Sequence, residues 1–388
     1  LMKNFNLKKL IKPNKTLLGV GPMSLNCVKA ASEVANKFKF PIMLIASRRQ
    51  IDSRENGGGY VNNWNTENYS NFINSIDKRN KIILARDHGG PWQNNFEIEK
   101  NLNLKKAMES AKKSYEVDIL NNFKIIHIDT SIDIKSKKLS LKTSLARFYE
   151  LFEHCNNFAK KNKKKIYFEI GTEEQSGTTN NPEELTYTLK KIFSFCKKKN
   201  FDRPFFVVIQ SGTKVAETRN VGSFESPLRI ENELPVEIQL PKMIEICKKN
   251  KIYMKEHNAD YLSNQSLSMH PKLGIHAANV APEFGVEETK GLIKILEKNK
   301  KTKFLEEFYE ISYNSKKWKK WLVPDSKTSK LEKAIISGHY VFSDNKFKIL
   351  KKKISGYFSK KNIDLDKYLQ KCVEKSIIRY AKNFNWMK

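Results

Sequence analysis

Short apolar runs alternate with longer amphipathic ones along most of this chain. Leu17-Leu18-Gly19-Val20-Gly21 reads as a buried strand, and the next stretch puts Leu25, Val28, Ala31 and Val34 on one helical face. Pro41 to Ala46 is a second strand-like run, and Ile82-Ile83-Leu84-Ala85 opens a third. Lys124 to Asp129, Ile166 to Ile170, Phe205 to Gln210, Lys251 to His257 and Leu273 to Val280 supply five more, with helix-like segments between them. Eight such pairs are what a (β/α)8 barrel requires, so the expected class is α/β with a TIM barrel. A doubly wound sheet is the alternative. Near Lys300 the pattern changes to helical and basic, with Trp318, Trp321, Tyr340-Val341-Phe342-Ser343 and an amphipathic run through Leu369, Cys372, Val373, Ile377 and Tyr380. The expected division is a barrel over residues 1–300 and a helical extension over 301–388 packed on it.

Local signals refine this outline. The stretch from Ser47 to Trp64, with Arg48, Arg49, Gln50 and Gly57-Gly58-Gly59-Tyr60, is too long for a mere connection and suits a functional loop. Thr66 is placed to cap the following helix, whose inner face is Tyr69, Phe72, Ile73 and Ile76. Pro182 followed by Glu183 and Glu184 opens another helix, the favoured order at a helix start.

Composition narrows the class. The net charge is +30, but the lysines are scattered over helix ends and loops, and no aromatic stacking motif accompanies the short lysine runs. A solvated basic surface fits better than a nucleic-acid interface, although attraction for anionic substrates follows from the same charge. The five cysteines are far apart and form no CxxC, which argues against a disulfide framework or a cysteine zinc site. No apolar run is long enough to span a membrane, and lysines interrupt any signal-peptide core, so the expected compartment is cytoplasmic.

Chemistry concentrates where the strand-like runs end. The third run ends in Arg86-Asp87-His88 followed by Gly89-Gly90-Pro91, so a carboxylate and an imidazole sit where a strand leaves the core. On a barrel the same rim collects Asp129, Glu169, Glu173, Gln210, Lys214, His257 and Asn279. His88 and His257 with carboxylates suit a divalent metal, and Asp87 suits a general acid or base. The Glu173 to Asn181 loop, rich in Gly, Ser, Thr and Asn, is suited to move over a substrate. His127 reads as a packed histidine, His270 and His154 as surface or packing residues, and His276 is open.

These pieces resemble a known family. Gly58-Gly59-Tyr60, Asp87-His88-Gly89-Gly90-Pro91, His127-Ile128-Asp129, Ile170-Gly171-Thr172-Glu173, Gln210 and Glu256-His257-Asn258-Ala259-Asp260-Tyr261 occur in the order found in class II, metal-dependent ketose-bisphosphate aldolases. The likeness is greatest to the branch known as the non-catalytic or kinase-like subunit of tagatose-bisphosphate aldolase, and spans about residues 17–350. It implies an acid/base at Asp87, zinc ligands at His88 and His257, and a carboxylate at Glu169. It places a mobile-loop acid at Glu173 or Glu174. Substrate contacts are expected from Gln50, Gly59, Tyr60, Asp129, Lys214 and the Asn279-Val280-Ala281 segment. The sequence departs from the catalytic aldolases twice. Their middle zinc histidine, at the end of the sixth strand, is replaced by Gln210-Ser211-Gly212-Thr213-Lys214, leaving Gln210 as a candidate ligand. Their Gly-Ala-Ser after the last zinc histidine is Asn258-Ala259-Asp260, and an aspartate there disfavours a phosphate. No Walker-type glycine-lysine loop supports kinase activity.

Three functions follow as expectations. One is a zinc-dependent lyase that cleaves or condenses a phosphorylated ketose. Another is a barrel that has lost catalysis and stabilises a class II catalytic subunit. The third, resting on charge alone, is a nucleic-acid-associated protein. Homo-oligomers or association with a catalytic subunit are expected under the first two.

Overall fold

A computed structural model describes residues 5–136, 139–171, 181–225 and 235–388. Its centre is a closed barrel of eight parallel strands in sequence order: β1 (Leu17–Val20), β2 (Ile42–Ser47), β3 (Ile82–Gly89), β4 (Ile125–Asp129), β5 (Tyr167–Gly171), β6 (Phe206–Ile209), β7 (Tyr253–Glu256) and β8 (Ala277–Val280). β1 closes on β8 with Leu17 opposite Ala277. The fold is therefore the expected TIM barrel with helices around it.

Alternation along each strand sorts the side chains into two layers. Leu18, Val20, Leu44, Leu84, Ile126, Ile128, Ile170, Val207 and Met254 face outward and join the core beneath the helices. Residues of the other parity face the barrel axis. Leu17, Met43, Ile45, Ile83, Ala85, Ile125, Phe206 and Ala277 form its apolar floor. The next residues up the same parity are Asp87 on β3, His127 and Asp129 on β4, Glu169 on β5, Lys255 on β7 with His257 just beyond it, and Asn279 on β8. The barrel thus grades from dry to polar towards the carboxyl ends of its strands, where TIM barrels place their chemistry.

Local endings differ from the sequence reading in small, explicable ways. Asn65, not Thr66, caps the helix Thr66–Ile76, by accepting the amide of Asn68. Pro182 does open its helix, Pro182–Lys199. The eighth strand begins at Ala277 rather than Leu273, because Leu273 ends a helix whose C-terminal cap is Gly274 at φ 85°. A left-handed glycine there stops a helix at little cost.

The segment after Lys300 wraps back onto the barrel. Phe308, Val341, Phe347, Leu350, Ile354, Phe358, Leu365 and Leu369 form a second core together with Leu292, Ile295 and Leu296 of the helix Pro282–Lys298. The helix Leu365–Asn383 then places Val373, Ile377 and Tyr380 in the main core, packed against the helices Leu25–Phe38 and Pro282–Lys298. Among the described residues no helix is long and apolar enough to cross a membrane.

Candidate functional site

The site begins with an irregularity in β3. Its register against β4 shifts between Arg86 and Gly89, and His88 sits at φ 43°. In a regular strand Asp87 and His88 would point to opposite faces. A bulge of this kind re-aims a side chain, and here both residues reach the barrel mouth. Gly90, at φ 142°, follows so close to β4 that a Cβ would lie 1.9 Å from the Asp129 carbonyl oxygen. Only glycine fits this turn.

Three imidazoles meet at the mouth. The ring centroids of His88, His127 and His257 lie 5.1–5.4 Å apart. One donor atom from each can be chosen so that all lie within 4.8 Å of one another, and the same holds for Asp87, His127, Glu169 and His257. Asp87 Oδ1 is 3.7 Å from both His127 Nδ1 and His257 Nε2. The backbone N–H of His88 donates to His127 Nδ1 at 3.2 Å, so the proton of a neutral His127 ring resides on Nε2. His88 Nδ1 is 2.6 Å from Asp129 Oδ2, a contact that fixes the ring and leaves Nε2 facing Asp87. Such a carboxylate behind an imidazole is what orients a metal-binding histidine. Three imidazoles with adjacent carboxylates are a donor set that fits a divalent metal ion.

Opposite charges are paired inside the cluster. Lys255, buried on β7, brings its ammonium to 2.5 Å from Glu169 Oε2, while His257 Nε2 is 2.8 Å from Glu169 Oε1. Burial alone would raise the Glu169 pKa, but Lys255 and the two histidines outweigh it and hold it down at about 2. The same contest, won by His88, His257 and His127, keeps Asp87 well below the usual carboxylate range, and Asp129 is held at about 2. His88 is shifted the other way: Asp87 and Asp129 overcome its burial and raise it to about 9. For His257 burial dominates and lowers the pKa.

The sequence-derived candidates now have places. Asp87, His88, Glu169 and His257 converge as expected. His127, read from sequence as a packed histidine, is buried and is also the third imidazole. This third imidazole comes from β4, while at the end of the sixth strand Gln210 lies buried just beyond β6. Asn279 is buried and donates to Asp87 Oδ1 at 3.3 Å. Gln50, Tyr60, Asp129 and Lys214 line a mouth cavity of about 390 Å³ together with Asp87 and His88. Gly59 acts through backbone approach, since a Cβ there would lie 2.0 Å from the Gln50 carbonyl oxygen. Glu173 and Glu174 lie outside the described residues. His270 is buried against Glu256 at 2.6 Å, His154 pairs with Glu116 at 2.9 Å, and His276 Nδ1 accepts the Met254 amide at 3.1 Å.

Two features escaped the sequence reading, the first of them despite a signal. Lys255 has the parity of His257, as His127 has that of Asp129, so strand alternation alone aims both inward. The cavity is also walled by Arg49 and by Lys320, Trp321 and Tyr340 from beyond residue 300, and no local pattern pointed there.

Comparison with known proteins agrees with this fold. A probable tagatose 6 phosphate kinase from Sinorhizobium meliloti 1021 superposes with a TM-score of 0.70 at 17% identity, covering 95% of this chain and 100% of that one. A fructose-bisphosphate aldolase from Campylobacter jejuni gives a TM-score of 0.55 at 12% identity, covering 96% and 91%. At such identities the likeness speaks for the fold alone. No curated protein sequence matches significantly. The sequence model of the D-tagatose-1,6-bisphosphate aldolase subunit GatZ/KbaZ-like family, however, matches residues 7–345, and the chain belongs to that family.

Proposed function

We propose that this chain is a class II aldolase-like sugar-phosphate protein whose barrel mouth holds a divalent ion, zinc by donor type, and that it cleaves or condenses a phosphorylated ketose. The observation that carries this reading is the convergence of His88, His127 and His257 beside an ionised Asp87. His88, His127 and His257 would hold the ion, His127 through the Nδ1 that would give up the His88 amide to do so, with Gln210 or Glu169 in reserve. A bound divalent ion supplies Lewis acidity, which polarises a carbonyl and stabilises an enediolate. Asp87, kept as a carboxylate by the surrounding imidazoles, is the base at the substrate hydroxyl, and the Asn279 amide orients it. Asp129 fixes the His88 ring. Glu173 or Glu174 is the loop acid in this reading. The compartment proposed is the cytoplasm, and the assembly a homo-oligomer or a pair with a class II catalytic subunit.

One observation favours a second reading, that of a non-catalytic subunit. Lys255 already pairs with Glu169 from within the barrel at 2.5 Å, so this carboxylate has a partner without an added ion.

Metal analysis of purified protein tests the site. The wild type is expected to carry about one ion per chain, and His88→Ala or His127→Ala to lower this at least ~10-fold, within the range seen when supporting metal-site residues are lost. Equal metal content in wild type and His127→Ala would return His127 to a packing role. Asp87→Asn should keep the metal and lose roughly 10²- to 10⁴-fold in aldol cleavage. Metal-loaded wild type that cleaves no sugar phosphate, yet stabilises a co-expressed catalytic subunit, establishes the second reading instead.

A further inference from the structure

In many barrels an anion binds at the amides after the seventh and eighth strands, at the start of a helix. This chain has filled that place with its own side chain. Asp260 Oδ1 accepts the backbone N–H groups of Ala281 and Glu283, both at 2.9 Å, at the start of the helix Pro282–Lys298. The neighbouring amide of Tyr261 donates to Glu283 Oε2 at 2.5 Å. Two carboxyl groups therefore occupy the donors that an incoming phosphate would need. Asp260 is 1% exposed, so a ligand cannot displace it without opening the core.

The other side of the mouth has the opposite character. Arg49, Lys214 and Lys320 line one cavity with Asp87 and His88 at its inner end. Among the described residues no carboxylate lies within salt-bridge distance of Arg49, Lys214 or Lys320. The preceding residue makes the contrast plain: Arg48 is buried and ion-paired with Asp52 at 2.9 Å and Glu97 at 2.7 Å. Arg49 Nε is buried with no hydrogen-bond partner. Lys320 is positioned by aromatic rings rather than by an acid, 4.7 Å from the Trp321 centroid and 5.0 Å from that of Tyr340. Those rings are fixed in turn. Trp321 Nε1 donates to the Tyr340 hydroxyl at 3.1 Å, and the Trp321 carbonyl accepts the Glu217 amide at 2.7 Å.

We propose that the mouth cavity takes the phosphate group of its ligand between Arg49 and Lys320, with Lys214 on the facing lip, and not at the amides that Asp260 holds. The segment beyond residue 300 is then part of the binding site, because Lys320, Trp321 and Tyr340 belong to it. Lys320 keeps much of its surface open to the cavity but is hemmed in by protein atoms. That crowding, with Arg49 and Lys317 near, lowers its ammonium to about 7, and an anion seated there relieves the repulsion. An unpaired arginine suits a phosphate because its fork matches two of the oxygens. This assignment rests on the mouth being a ligand site, as the proposed function has it, but not on a metal being bound there.

The test is binding of inorganic phosphate to chelator-treated protein, read by calorimetry at low salt. Wild type is expected to bind it, and Arg49→Met and Lys320→Gln each to weaken binding at least ten-fold with circular dichroism unchanged. Asp260→Asn and His127→Ala are expected to leave it within two-fold. Acetate is expected to bind at least ten-fold more weakly than phosphate. Wild type that binds no phosphate, or Arg49→Met and Lys320→Gln proteins that bind it like wild type, would overturn the proposal, as would equal binding of acetate. Retained phosphate binding in a His127→Ala protein that has lost its metal separates this site from the metal reading, so either can fail alone.

Discussion

Asp87 and Asp260 are both buried carboxyl groups at the mouth of one barrel, and their neighbours drive them in opposite directions. Asp87 lies among three imidazoles, which outweigh its burial and keep it ionised. Asp260 faces Glu283, and burial together with that second carboxyl pushes it up to about 8 in spite of two backbone donors. Depth in the fold is similar, so the partners decide the charge. The β3–β5 and β7 side of the mouth sets three imidazoles and Lys255 among ionised carboxylates. The corner between β7 and the helix Pro282–Lys298 is closed on itself, its two carboxyl groups already bonded to backbone amides.

The largest test of this contrast removes the internal cation. Lys255→Met leaves Glu169 buried without its counter-charge, and breaking a buried pair in this way costs about 3–5 kcal/mol. Chemical denaturation should show that loss. Added zinc should raise the melting temperature of Lys255→Met by more than it raises wild type, because a bound ion can replace the ammonium beside Glu169. Equal zinc shifts would mean that the two cations do not share this carboxylate.

The second test uses pH. A carboxyl whose folded pKa is raised to about 8 binds a proton in the folded state that the unfolded chain has already released. Its contribution therefore makes stability fall as pH rises from roughly 4 to 8, by at most about 1.4 kcal/mol per pH unit. Asp260→Asn keeps an oxygen for Ala281 and Glu283, so it should flatten the stability curve across that window and gain most at its upper end. A slope unchanged by the substitution would assign the pH dependence to other groups.

The smallest effect comes from the hydroxyl that closes the corner. Tyr380 donates its one hydroxyl proton to Glu283 from the helix Leu365–Asn383, and the Ala259 carbonyl lies 3.2 Å from the same hydroxyl. Tyr380→Phe should cost about 1–2 kcal/mol. It should leave metal content and phosphate binding unchanged, since neither site includes this corner.

Alternation makes most of the barrel readable from the sequence. Eight apolar runs coincide with eight strands because buried parallel strands leave few other places for Val, Ile and Leu. The ends of strands carried the catalytic candidates for the same reason. His127 is buried, as its packing reading expects, and beside Asp129 at the same parity it also faces the axis. The bulge that lets Asp87 and His88 face the mouth together is a backbone event with no fixed residue signature. The pairing of Asp260 with the amides of Ala281 and Glu283 joins two loops distant in sequence. The reach of Lys320 and Tyr340 into the mouth depends on tertiary packing of the second core, which periodicity does not encode.

The helix Leu365–Asn383 has a consequence for how the protein is made. It lies across the helices next to β1 and β8, the two strands whose pairing closes the barrel, and Asn26 Nδ2 donates to Asp366 Oδ1 at 2.9 Å across that seam. Trp386 just beyond it donates to the Thr16 carbonyl, 370 positions back along the chain. During synthesis all eight strands leave the ribosome before this helix does, and domains generally fold as units from the end made first. The nascent barrel therefore has an uncovered apolar seam until this helix emerges, a window in which a holding chaperone, or a neighbouring nascent chain, could compete for the same surface.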